Sequence, residues 1–156
     1  MISHWQQSLQ QAVRSIDELF DLLNIEKPLT IDLDPHFPLR VPREFIAKMR
    51  LQDLNDPLLR QILPLKEENM LVSGYTRDPV QDMMTNPQPG IIHKYPNKVL
   101  FMPTGACAVH CRFCFRRHFP YQENTPNQKQ WADNIQYLRR DLNIREVILF
   151  PTLRPR

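Results

Sequence analysis

Residues 98–119 read KVLFMPTGACAVHCRFCFRRHF. The first part, 98–102, is a short apolar, β-rich run bounded by Pro96 and Pro103, and it predicts a buried strand. Directly after it come Cys107, Cys111 and Cys114, which are the 3 cysteines of the chain. Working outward, Trp131, Ile135, Leu138 and Leu142 recur at three- and four-residue steps and predict a helix over 127–141. Residues 145–150, REVILF, form a second strand candidate. Strand, loop, helix, strand is a βαβ unit, the building block of parallel α/β sheets and barrels. Ligand chemistry in such folds sits at the carboxyl ends of the strands. The cysteines lie just beyond the carboxyl end of the first one.

Upstream the chain reads as helical and then irregular. Trp5, Leu9, Val13, Ile16, Phe20 and Leu23 give one apolar face over 3–24. Ser15-Ile16-Asp17-Glu18 fits a capping box, so two short helices with a break near Arg14 are expected. Residues 27–41 are loop, with Pro28, Pro35 and Pro38. Pro42 suits the first position of a helix through Arg50. Asp56-Pro57 opens another short helix that Pro64 stops. Residues 65–97 read as mostly irregular, broken at Asp78-Pro79, Asn86-Pro87, Pro89-Gly90 and Tyr95-Pro96. No internal repeat or low-complexity tract is present.

Composition narrows the class. The chain has 156 residues with 42% hydrophobic and 24% charged side chains, ordinary values for one modest globular domain. A net charge of +3 is too small an excess to mark a nucleic-acid binder. No apolar run is long enough to cross a bilayer, and MISHWQQSLQQ carries no secretory pattern. An odd cysteine count without a signal points to a reducing, cytoplasmic setting. There are 3 Gly against 15 Pro, and no Gly after Gly105. A phosphate- or nucleotide-binding backbone usually needs glycine where it approaches the ligand.

Three thiols in C-x3-C-x2-C spacing can hold three irons of a cubane cluster and leave the fourth iron open. Two other readings fit the residues. A Cys3His zinc site, in a small interaction module, could recruit His110 or His118. Three structural thiols with no metal are the simplest case.

The spacing resembles that of the radical S-adenosylmethionine enzymes, whose open iron chelates S-adenosylmethionine and whose one-electron cleavage releases a 5′-deoxyadenosyl radical. Phe113 matches that superfamily's aromatic position beside the adenine. The flanks narrow the resemblance to the lysine 2,3-aminomutase family: DPV at 78–80, PGIIHKYPNKVLFMPTGACAVHCRFCFRRHF at 89–119 and REVIL at 145–149. LRVPREFI at 39–46, NDPLLRQIL at 55–63 and FRRHFPY at 115–121 are most similar to the branch serving β-lysylation of elongation factor P.

This resemblance implies an isomerase converting L-α-lysine to β-lysine with a [4Fe-4S] cluster, S-adenosylmethionine and pyridoxal 5′-phosphate. It also implies an electron donor and a functional link to elongation factor P and its ligase. A radical aminomutase for another amino acid is the nearest alternative. Carried over residue by residue, Cys107, Cys111 and Cys114 are the cluster ligands and Arg116 pairs with the substrate carboxylate. Lys94, Tyr95 and Lys98 contact pyridoxal phosphate. Without the resemblance, Arg116 reads as part of a solvated basic loop with Arg112, Arg117 and His118. His93 reads as structural, since radical chemistry needs no base there, and Trp131 as core.

The fold class implied is α/β. A helical region over 1–77 precedes the start of a partial (β/α) barrel, with its cluster loop, over 78–149. After REVIL the family carries Ser-Gly-Gly-Asp, which binds the amino group of S-adenosylmethionine. Here residues 150–156 read FPTLRPR. The expectation is therefore an out-of-frame tail over 150–156 and a barrel truncated after its second strand, with open apolar edges and a tendency to aggregate. The lysine that holds pyridoxal phosphate and the acids that hold the substrate's distal amine are absent, so no catalytic residue is expected and the chain is expected to be inactive.

Overall fold

The computed structural model describes residues 4–32 and 36–150; the expected aberrant tail thus lies, but for Phe150, outside the described residues. The chain divides into two compact units. The first comprises 1–76 and 108–117, and the second 77–107 and 118–156.

The first unit opens with α1 (His4–Gln10) and α2 (Ile16–Leu23), separated where the sequence expects the break. Ser15 caps α2 through its hydroxyl, which accepts from Glu18 N at 3.4 Å. The helix ends at Asn24, which takes the left-handed conformation (φ 52°) that asparagine tolerates. Val13 and Val41 exchange two backbone hydrogen bonds, 2.8 and 3.0 Å, and so clamp the helix break to the following segment. Leu19, Leu23, Ile31, Val41, Leu59 and Ile62 form the core and are at most 2% exposed.

Two predicted helices are shorter than expected. Pro42 is an N-cap, not a first helical residue, and α3 covers only Arg43–Ile46 before the chain turns. The segment after Asp56 is a 3₁₀ turn, Leu59–Gln61. Asp56 Oδ1 accepts from the amides of Leu58 and Leu59, and Pro64 ends the run before a longer ladder can close.

The second unit holds a three-stranded sheet in the order β1 (Ile91–Tyr95), β2 (Lys98–Phe101) and β3 (Glu146–Leu149). Strand β1 lies within the stretch expected to be mostly irregular. It pairs antiparallel with β2, with Ile91 opposite Phe101, across a tight turn at Pro96-Asn97. Strands β2 and β3 pair in parallel, from Lys98 with Glu146 to Phe101 with Leu149. The crossover between them carries α4 (Tyr121–Asn124) and α5 (Gln128–Arg140). The βαβ unit is therefore present, in a mixed α/β chain whose small sheet is open.

The strand period of two sorts the side chains. Ile91, Val99 and Phe101 face α5, where Trp131, Ile135 and Leu138 cover them. Trp131 meets Phe101 edge-on at 5.1 Å between ring centroids, which makes it a core residue as expected. Ile92, Leu100 and Met102 point the other way, onto Phe119 and Tyr121. Asn127 and Gln130 cap α5 reciprocally, at 3.0 and 2.8 Å. Gly90 has φ 89°, and a Cβ there would stand 2.9 Å from Asn134 Nδ2, so the entry to β1 requires glycine.

No helix among the described residues is long and apolar enough to cross a membrane.

Candidate functional site

The cysteine loop leaves β2 through a polar turn. The buried Thr104 accepts from Ala106 N at 3.1 Å, and Gly105 lies so close to Thr125 that a Cβ would meet its hydroxyl at 2.9 Å. Cys107 is exposed and belongs to the second unit. Cys111 and Cys114 are half-buried and belong to the first. No disulfide joins any of the three.

Residues 110–117 are anchored in the first unit by side chains and backbone together. His110 N donates to Arg40 O at 2.9 Å and Arg112 N to Gln61 O at 2.7 Å, so the amides on both sides of Cys111 are held. Cys114 N donates to Cys111 O, and Arg117 N to Cys114 O, both at 3.1 Å. The His110 ring stacks on Phe37 at 4.8 Å, and its Nδ1 stands 2.9 Å from Pro38 O. Burial, with the nearby charges of Arg40, Arg14 and Arg112, holds the His110 imidazole below its ordinary pKa. A carbonyl oxygen only accepts, so Nδ1–H is the donor in this contact.

Arg112 is the centre of this anchorage. Its side chain is only 7% exposed, against the solvated basic loop read from the sequence. Its Nε donates to both oxygens of Glu68 at 3.0 Å, and its Nη1 to Phe37 O at 2.7 Å. The guanidinium lies 5.4 Å from the Phe37 ring centroid. Arg117 Nη2 reaches the same Glu68 carboxylate at 2.6 Å. Burial alone would raise the pKa of Glu68, but the Arg112 hydrogen bonds, the Leu65 amide and the two cationic charges hold it below the usual carboxylate range. Sequence reading missed Glu68 altogether. The pair spans 44 residues, and no local pattern announces it.

The other expected site residues fall as follows. Phe113 is 78% exposed and borders a cavity of about 530 Å³ within the first unit, beside Arg112 and Arg117. The Arg116 guanidinium lies 4.5 Å from the Phe115 ring centroid. In the second unit, Lys94 is paired with the buried Asp82 at 2.7 Å and also donates to Val80 O. Lys98 is paired with Glu146 at 2.9 Å, an exposed cross-strand contact, and Tyr95 is exposed. His93 Nδ1 lies 2.6 Å from the Tyr137 hydroxyl, a structural role as expected.

These facts test the implied groups. Three thiols on one loop are the soft donors an iron–sulfur cluster takes, so the donor chemistry fits. Among the described residues, no group of three or more His, Cys, Asp or Glu is gathered as a metal site. Tyr95 and Lys98 stand at the β1–β2 turn, where a phosphate would have to draw Lys98 from Glu146 and Lys94 from Asp82.

Fold and sequence together define a mixed α/β protein whose three cysteines follow, along the chain, a strand paired in parallel. The chain is 39% identical over 148 residues to L-lysine 2,3-aminomutase of Escherichia coli K12, covering 92% of this chain and 43% of that protein. It is 38% identical to the L-lysine 2,3-aminomutase of Haemophilus influenzae, over 93% of this chain and 44% of the relative. Against the L-lysine 2,3-aminomutase of Bacillus subtilis the identity is 30%, over 93% of this chain and 32% of the relative. Along that span the chain is similar to proteins named L-lysine 2,3-aminomutase, at 30–39% identity. It covers less than half the length of these curated relatives. No family model matches it.

Proposed function

We propose that these residues form the cluster- and cofactor-binding part of a radical S-adenosylmethionine isomerase that converts L-α-lysine to β-lysine. The observation that carries the reading is the C-x3-C-x2-C loop beyond β2, in a chain 39% identical over 148 residues to a protein named L-lysine 2,3-aminomutase. Cys107, Cys111 and Cys114 would hold a [4Fe-4S] cluster. When bound, the cluster supplies the electron that cleaves S-adenosylmethionine to a radical able to abstract hydrogen.

This chain's own residues have simpler tasks. Phe113, exposed and apolar, offers a face for the adenine of S-adenosylmethionine. Arg116 offers a planar fork for the lysine carboxylate. Tyr95, with Lys98 released from Glu146 and Lys94 released from Asp82, binds the phosphate of pyridoxal phosphate. The β-lysine is destined for elongation factor P, which rests on the similarity of residues 39–46, 55–63 and 115–121 to that branch of the family; an electron donor serves the cluster.

Anaerobic reconstitution of the chain with iron and sulfide tests the reading. The expected result is about four irons per chain, with broad absorption in the visible blue and an electron paramagnetic resonance signal that S-adenosylmethionine perturbs. Tight zinc binding without iron uptake would replace it with a zinc module.

A further inference from the structure

One carboxylate in the first unit holds both arginines that bracket Cys114. Glu68 is the third residue of a short 3₁₀ turn, Lys66–Asn69, and accepts from the amide of Leu65, the residue before the turn, at 3.2 Å through Oε1. The same carboxylate takes Arg112 Nε at 3.0 Å on each oxygen and Arg117 Nη2 at 2.6 Å. Both guanidiniums are largely buried, with side chains 7% and 18% exposed. Two such cations with no carboxylate between them would carry a desolvation cost with no compensating attraction. The loop therefore has one electrostatically favourable seat, and Glu68 defines it.

The arginines convert that seat into thiol placement. Arg112 follows Cys111 directly, and its amide is fixed on Gln61 O at 2.7 Å. Arg117 is tied back by its amide to Cys114 O, and Cys114 to Cys111 O, both at 3.1 Å. The series runs from carboxylate to guanidinium by hydrogen bonds, along each arginine's own side chain to its backbone, and on to the cysteines by the Cys111–Arg112 peptide bond and the Arg117–Cys114–Cys111 backbone hydrogen bonds. The Phe37 carbonyl and ring hold Arg112 from a second direction.

From this we infer that Glu68 is a positioning residue for Cys111 and Cys114: its carboxylate seats Arg112 and Arg117 and thereby fixes where the second and third cysteine thiols stand. The positioning is a property of the metal-free chain. Its value for cluster binding rests on the function proposed above.

The test separates the two. Each cysteine of the metal-free full chain is alkylated with iodoacetamide under anaerobic conditions, and the rates are read by peptide mass spectrometry. Cys107, outside the clamp, serves as the internal reference. In Glu68→Ala the rates at Cys111 and Cys114 should rise about fivefold or more relative to Cys107, with cooperative melting retained. Glu68→Gln, isosteric and still able to accept from Leu65, should show a smaller rise in the same direction. After reconstitution, both variants should give an altered resonance line shape of the reduced cluster at equal iron content. Unchanged rate ratios in folded variants would overturn the assignment. So would a uniform rise at all three cysteines with loss of cooperative melting in both variants, which would make Glu68 a folding residue only. If the parent chain takes up no iron, the cluster reading fails, and the alkylation ratios still decide the role of Glu68.

Discussion

Arg112 is seated as a base-pairing partner would be: every N–H-bearing nitrogen of its guanidinium meets an acceptor, on Glu68 or on Phe37 O. Replacing it by Met keeps much of the volume and leaves Glu68 paired only with Arg117. Arg112→Met should destabilise the first unit by about 2 kcal/mol, below the range for fully buried pairs because Glu68 retains one partner. Denaturant unfolding measures this. The linkage with pH has a definite sign. The Glu68 pKa is lowered on folding, so its ionised form stabilises the fold at neutral pH. That contribution is lost as pH falls through and below the ordinary carboxylate range, where the group protonates in the folded state. Melting temperature should therefore decline on acidification, and Glu68→Gln should decline less steeply; parallel curves for the two proteins would contradict the linkage.

Secondary-structure elements carry their own instructions to different degrees. The 98–101 strand, the 128–140 helix and the 146–149 strand were legible because each has a local signal: a β-rich apolar run, a periodic face or a cap. Asn127 is such a signal, and Asn127→Ala should cost about 1 kcal/mol through the lost cap. A lower melting temperature with unchanged helix content at low temperature is the expected readout. Strand β1 was not legible. IIHKY sits between Pro89-Gly90 and Pro96, and its two isoleucines are adjacent rather than alternating. It becomes a strand because β2 supplies hydrogen-bond partners and because opposite faces bury Ile91 and Ile92 against different neighbours. The shortened segments after Pro42 and Asp56 show the converse, where good local starts are overruled by chain reversals. The cysteines were legible as a motif. Their anchorage was not, since Glu68 and Phe37 lie 44 and 75 residues away from Arg112.

At the scale of the molecule, the sheet of the second unit ends, among the described residues, on β3. Val147, Ile148 and Leu149 are 41%, 45% and 55% exposed there. A parallel edge with this much apolar surface is a template for further strand pairing. The chain should self-associate as concentration rises, and Ile148→Lys should reduce that association without lowering the melting temperature. Sedimentation velocity at several concentrations reports both species. A chain that stays monomeric throughout would show that this edge is protected.

The backbone visits the first unit, passes to the second, returns for 108–117 and leaves again. Neither unit is therefore one uninterrupted piece of the gene. A fragment ending near residue 76 would contain the Arg112 seat but no arginine to fill it, and its core would lose the side chain of Val109. A fragment beginning near residue 77 would carry all three thiols with two of them unmoored. Dissection by simple cutting would give two misleading polypeptides. A faithful first half needs the ten-residue return segment spliced back in by a linker.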